Sequence, residues 1–309
     1  MRKPLVVALC ALAMTGAGAM PAVAAEAPPT SADTSTATGT TTTGTVMDTV
    51  NGVLDAVSGL TAPKAGAVNF AGTVALSNCS GSVVRMPDAE DDDPALVLTN
   101  GHCLESGFPG PGQVLVDRAS SRTFSLLNAS GSRIATLRAN RLVYATMTDT
   151  DAAIYRLNTS YAQIKSSYGI DALTVDDSRP AAGTSISVVS GYWRRIYNCS
   201  VDGFAYRLKE GDWTFKDSVR YTPECNTIGG TSGSPVVDTA TGKVVAVNNT
   251  GNEDGERCTL NNPCEVDENG QVTVRKGINY AQQTYLFPAC FGADSKLDLN
   301  ASGCLVPKP

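Results

Sequence analysis

From residue 66 onward, apolar residues either alternate with polar ones or gather in short runs of up to four. A strand with one wet face gives a period of two, and a strand covered on both faces gives a short continuous run. On this basis strands are expected at Val68–Leu76, Gly81–Arg85, Ala95–Thr99, Gln113–Asp117, Thr123–Leu127, Arg133–Tyr144 and Ala152–Leu157. A second series is expected at Thr184–Trp193, Arg195–Leu208, Ser234–Asp238, Lys243–Asn248 and Gln271–Tyr280. Clusters of Gly, Pro, Asn and Asp separate these segments, as turns require. No long stretch repeats with the helical period, so the pattern is that of an all-β chain, a sandwich or a barrel.

The first 65 residues follow a different pattern. Arg2 and Lys3, an apolar Leu5–Met14 and the small residues Ala22-Val23-Ala24 read as a secretory signal over residues 1–25. The apolar stretch is short for a membrane span. Residues 26–65 are rich in Thr, Ser and Ala and have little to bury; they read as a propeptide or linker. Within them Val46, Val50, Val53, Leu54 and Val57 fit one face of a short helix.

Composition supports export. The chain has nine cysteines, one of them, Cys10, in the expected signal. Eight remain: Cys79, Cys103, Cys199, Cys225, Cys258, Cys264, Cys290 and Cys304. An even count behind a signal reads as disulfides, although eight cysteines allow 105 pairings. A zinc site is disfavoured because no Cys-x-x-Cys spacing is present. Losing Arg2 and Lys3 with a leader that holds no acid takes the net charge from −6 to −8, so nucleic acid is not an expected partner. No cofactor, no metal and no membrane contact are expected for the exported form, which is expected to be a monomer.

The chemistry gathers around the chain's single histidine, His102, in Thr99-Asn100-Gly101-His102-Cys103. Asp151 opens Asp151-Ala152-Ala153-Ile154, and Ser232 lies in Gly230-Thr231-Ser232-Gly233-Ser234-Pro235. A serine becomes a nucleophile when a neighbouring base takes its proton, and a carboxylate holds that base in the right tautomer. Each residue alone has a bland explanation: a surface histidine, a strand-bounding aspartate, a glycine-rich turn. Together, in the order His, Asp, Ser, they differ from the α/β-hydrolase and subtilisin orders.

These three motifs resemble those of the chymotrypsin/trypsin-like serine proteases, in the form found in small secreted bacterial members. The resemblance covers roughly residues 67–290. It implies two antiparallel β-barrels with the active-site cleft between them, the first at 66–160 carrying His102 and Asp151, the second at 161–309 carrying Ser232. It implies an oxyanion hole at the backbone N–H groups of Gly230 and Ser232, and a Cys79–Cys103 disulfide bracing the histidine loop. Sequence proximity would then pair Cys199 with Cys225, Cys258 with Cys264, and Cys290 with Cys304. Thr231 stands where animal members have the aspartate that pairs with a new N-terminus, so that activation switch is missing.

By the same resemblance Asn226 falls at the base of the substrate pocket, Asn248 and Thr250 lie on the strand that pairs with substrate, and Gly277 forms an open far wall. A neutral pocket base implies cleavage after uncharged residues. The activity implied is a secreted serine endopeptidase acting on protein or peptide substrates. An esterase with the same triad and a non-catalytic protease-fold binding module are the alternatives. Asp88–Asp93 reads as a solvated acidic loop and Tyr192-Trp193-Arg194-Arg195 as a strand with one wet face.

Overall fold

The computed structural model describes residues 66–309. The expected signal, the Thr-rich segment and the helix expected at Val46–Leu60 lie outside the described residues.

The described chain forms two closed β-barrels. The first contains β1 (Thr73–Ala75), β2 (Ser80–Arg85), β3 (Pro94–Thr99), β4 (Val114–Ala119), β5 (Thr123–Leu127), β6 (Arg133–Thr146) and β7 (Ala152–Ser160). Its strands run β1-β5-β6-β7-β3-β2, and β2 pairs back onto β1, while β4 attaches to β6. Helix α1 (Tyr161–Tyr168) and β8 (Leu173–Thr174) lead into the second barrel. The Ser160 hydroxyl and the Gln163 side chain form a reciprocal capping box at the start of α1, and Gly169 ends it in the left-handed region.

The second barrel uses β9 (Ser185–Ser190), β10 (Arg195–Glu210), β11 (Trp213–Tyr221), β12 (Pro235–Asp238), β13 (Val244–Gly251), β14 (Cys264–Val266), β15 (Val272–Val274) and β16 (Asn279–Gln283). The order is β11-β16-β13-β12-β9-β10, closed by the β10–β11 hairpin, with β14 and β15 added outside β10. Closure leaves the six strands of each barrel without a free edge, while β4 and β15 remain outer strands. All four pairs set out above form: Cys79–Cys103, Cys199–Cys225, Cys258–Cys264 and Cys290–Cys304.

Each barrel has its own apolar filling, around Phe124, Leu126 and Leu157 in the first and around Val188, Val219 and Tyr221 in the second. A third cluster, including Leu96, Leu98, Tyr144, Ile154, Val189, Val237, Val247 and Phe287, lies along the seam between them. The seam explains why Leu142–Met147 is buried continuously instead of alternating: one face of this stretch fills the barrel and the other meets the second barrel. Full burial of such a side chain contributes about 1.5–3 kcal/mol, against about 0–1 kcal/mol for a half-exposed ion pair such as Arg179–Asp217. Apolar contact therefore holds the barrels together.

A polar joint then fixes their register. The Ser80 N–H donates to the Ser232 carbonyl at 2.8 Å, and the Thr99 hydroxyl donates to the Ser80 carbonyl at 2.8 Å. The Ser80 and Ser190 hydroxyls lie 3.1 Å apart, and Tyr192 N–H donates to Ser80 Oγ at 3.1 Å. Gly233 sits in this joint with φ +79°, and a Cβ there would stand 2.1 Å from the Ser80 carbonyl oxygen and 2.2 Å from Thr99 Oγ1.

Several sequence expectations change. Gln271–Tyr280 is not one strand but β15 and the start of β16, parted by a turn at 276–277. Trp213–Tyr221 is a strand that alternation did not reveal, because Lys216, Asp217 and Arg220 interrupt the run and the buried position 218 is a serine bonded to Gln282. Tyr192–Arg194 is a turn after β9, with Arg194 at φ +53°, and not strand. The acidic run is solvated from Asp88 to Asp92 except at Ala89, but Asp93 is buried and accepts from the N–H groups of Glu90 and Asp294.

The joint makes a testable demand. Gly270 also has positive φ, +81°, but a Cβ there would meet nothing within 4 Å. Gly270→Ala should cost about 1–2 kcal/mol from backbone strain alone, and Gly233→Ala at least ~2 kcal/mol more from the clash. Denaturant unfolding of both variants measures this, and equal losses would contradict a rigid joint.

Candidate active site

Asp151 and His102 approach each other at the end of β3 and the start of β7, neighbours in the first barrel. His102 Nδ1–H donates to Asp151 Oδ2 at 2.6 Å, and the His102 backbone N–H donates to Asp151 Oδ1 at 3.1 Å. Asn100 Nδ2 donates to the Asp151 carbonyl at 2.8 Å. The carboxylate is 1% exposed and the imidazole 19%, so the acid is sealed while the ring keeps one side toward the cleft. Position 101 admits only glycine, since a Cβ would stand 2.2 Å from the Thr146 carbonyl oxygen.

Burial lowers the His102 pKa, but the Asp151 charge, the hydrogen bond to it and the more distant Glu210 charge outweigh that effect. The net result is a value above the ordinary 6.5. With Nδ1 committed to Asp151, Nε2 is the nitrogen left to take a proton.

Ser232 lies in the same cleft. Its hydroxyl donates to the Asn249 carbonyl at 3.2 Å and forms no hydrogen bond with His102 in this structure. Among the described residues, nothing accepts from the N–H groups of Gly230 and Ser232. Gly230 reaches this conformation with φ +87°. Two unused N–H donors flanking a serine are what a developing oxyanion needs.

A buried chain of side chains sets that loop. Tyr221 OH donates to Asn248 Oδ1 at 3.1 Å, Asn248 Nδ2 donates to Thr231 Oγ1 at 3.1 Å, and Thr231 Oγ1 donates to the Ile228 carbonyl at 2.6 Å. The neutral Thr231 thus has internal partners where an aspartate would need a cation. Trp193 Nε1–H donates to the Gly229 carbonyl at 2.7 Å, bracing the same loop from the Tyr192–Arg194 turn. The Cys199–Cys225 disulfide and the Asn279 amide, which donates to the Cys225 carbonyl at 3.0 Å, hold its start.

The cleft encloses about 600 Å³ including its mouth. Thr250 and Asn248 both line it, but both polar ends of the Asn248 side chain are already used by Tyr221 and Thr231. Two expectations are corrected. Asn226 is exposed and outside the cleft lining, where its neighbour Thr227 stands instead, because Cys225 is pinned and Asn226 turns outward. Gly277 is exposed in a turn before β16, and Asn279 takes the wall position. The inference of a neutral pocket base loses its premise.

Sequence reading missed the residues that arrive from other loops. Phe108 packs edge-on to His102 with ring centroids 5.8 Å apart, and Trp213 packs on Phe108 at 5.7 Å. Trp213 Nε1–H donates to the Pro109 carbonyl at 2.9 Å, which ties this aromatic wall across the two barrels. Glu210, at the end of β10, is 7% exposed and lines the cleft. Its Oε1 accepts from Thr250 Oγ1 at 3.0 Å and from Asn261 N–H at 2.8 Å. Burial raises the Glu210 pKa; the two hydrogen bonds and the His102 charge oppose that, and Asp151 adds to it, leaving the value above the ordinary one.

The trypsin-like peptidase domain family matches residues 79–247, more than half of the chain, a span that contains His102, Asp151 and Ser232. No curated protein sequence matches. Among solved structures, the MamO protease domain from Magnetospirillum magneticum is 13% identical, with a TM-score of 0.42, covering 69% of this chain and 92% of that one. The thermostable serine protease AL20 from an extremophilic microorganism is 17% identical, with a TM-score of 0.40, covering 70% and 91%. The serine endoprotease from Yersinia pestis is 13% identical, with a TM-score of 0.41, covering 71% and 60%. The family match over the span that holds the histidine, aspartate and serine motifs identifies the chain as a member of the trypsin-like peptidase family, a serine-type endopeptidase.

Proposed function

We propose that Ser232, His102 and Asp151 are the catalytic triad of a secreted endopeptidase. The observation that carries this reading is one cleft holding a sealed carboxylate hydrogen-bonded to His102 Nδ1, a serine hydroxyl, and two unpartnered backbone N–H groups. Ser232 Oγ attacks the scissile carbonyl carbon as its proton passes to His102 Nε2. The tetrahedral oxyanion takes hydrogen bonds from the N–H groups of Gly230 and Ser232. His102 then gives its proton to the departing amine, the acyl group stays on Ser232, and water attacks by the reverse route. Asp151 orients the ring and stabilises its charged form without taking the proton.

Export is part of the same proposal: residues 1–25 as signal, 26–65 as propeptide or linker, 66–160 and 161–309 as the two barrels. Four disulfides, and the lack of any described helix long and apolar enough to cross a membrane, fit an extracellular protein. A protein or peptide is the substrate, and the working form is a monomer with no cofactor.

Ser232→Ala should lower kcat/KM on a peptide substrate by at least about 10³-fold and abolish labelling by a serine-directed phosphonate, with near-ultraviolet circular dichroism unchanged. A loss of only a few-fold in a folded variant would contradict the nucleophile assignment.

The ionisation of His102 gives a second test, free of assignment problems because the chain has one histidine. Protonated imidazole cannot act as base, so activity should fall as pH drops through a pKa above 6.5. Proton NMR of the single imidazole should titrate at the same midpoint as the acidic limb of kcat/KM. A limb centred below 6.5, or one that the imidazole signal does not follow, would contradict the geometry.

A further inference from the structure

Glu210 is placed for more than holding a loop. It lines the cleft from β10, opposite Trp213 in the β10–β11 register, in the same wall as Phe108. Its two hydrogen bonds both end on Oε1; among the described residues nothing donates to Oε2, and no Lys or Arg pairs with the carboxylate. Oε2 keeps access to the open cleft, and a glutamine would accept from Thr250 and Asn261 equally well without the cost of desolvating most of a charged group. Loop anchoring therefore explains an oxygen at this position but not a charge.

The rest of the cleft has the same character. Besides Glu210 its lining includes Asp151 and, at the exposed rim, Glu253; it contains no lysine or arginine. Asp151 is occupied by His102. Glu210 Oε2 is thus the anionic acceptor within the cleft left open to a ligand, and the aromatic rings of Phe108 and Trp213 in the same lining suit a cation as well.

We propose that Glu210 is the specificity-determining residue of this peptidase, selecting substrates that carry a Lys or Arg side chain in the cleft. The cation occupies the compartment walled by Phe108 and Trp213 next to His102, with its N–H groups donating to Glu210 Oε2. The selecting charge comes from β10 and not from the segment before Ser232, where Asn226 and Glu224 are both exposed and outside the cleft. The inference rests on the endopeptidase reading for its turnover consequences, but ligand binding tests it separately.

A fluorogenic peptide library locates the preferred position, and paired peptides with Lys or the neutral isostere norleucine at that position quantify it. The wild-type protein should favour Lys by at least about tenfold in kcat/KM, with most of the difference in KM. In Glu210→Gln, which keeps the acceptor for Thr250 and Asn261, the ratio should fall below about threefold. Glu210 also acts on His102, but that effect is common to both peptides and cancels in the ratio. Calorimetric binding of the uncleaved pair to Ser232→Ala, with and without Glu210→Gln, should show the same discrimination. Lys selectivity in this binding arm without any turnover in the wild type would overturn the endopeptidase reading and keep this one. Equal handling of Lys and norleucine by the wild type, or a preference that survives Glu210→Gln, would overturn it. Should Glu210→Gln fold poorly, Glu253→Gln is the second variant: a wild-type Lys preference that survives it keeps Glu210 as the selecting charge, and one that it abolishes overturns the assignment.

Discussion

The site depends on one backbone contact between the barrels. Ser80 follows a disulfide cysteine and opens a strand of the first barrel, and its N–H holds the carbonyl of Ser232 in the second. Its own carbonyl is held by Thr99, three residues before His102. The Cys79–Cys103 disulfide ties the residue before Ser80 to the residue after His102. Nucleophile and histidine are thus referred to one short segment rather than to two independently placed loops. A displacement of about 1 Å at a reacting group can cost about 10²-fold in rate, which is why such a joint tolerates no side chain at Gly233.

The cleft then separates its carboxylates by environment. Asp151 gives both oxygens to His102 and is sealed from solvent. Glu210 spends one oxygen on Thr250 of β13 and on Asn261, and presents the other to the cavity. Both favour a positive charge on the imidazole, in line with the raised pKa of His102. That field stabilises the imidazolium formed when Ser232 gives up its proton, at the cost of a base that is silenced at a higher pH than a free histidine.

The all-β class, most strands and the three motif residues were legible because they rest on local signals: alternation, turn residues, and glycines beside His102 and Ser232. Thr123–Leu127 was readable to the residue, whereas Trp213–Tyr221 was hidden by the charged residues within it and by a buried serine with a partner on a distant strand. The pocket was least legible. Counting back from Ser232 assumed an undistorted loop, but the disulfide at Cys225 turns Asn226 outward, and the charged residue in the cleft comes from a hairpin twenty-two positions earlier. Glu210 has no motif around it; its role follows from burial and from what Thr250 and Asn261 leave unsatisfied.

The most direct test of this account is a crystal structure of the protein after reaction with a peptidyl phosphonate. Phosphorus should be bonded to Ser232 Oγ, with the phosphonyl oxygen about 2.7–3.1 Å from the N–H groups of both Gly230 and Ser232. The Ser80 N–H to Ser232 carbonyl bond should persist unchanged. Phosphorus on another residue, or on Ser232 with its oxygen turned to solvent and the Ser80 contact broken, would contradict it.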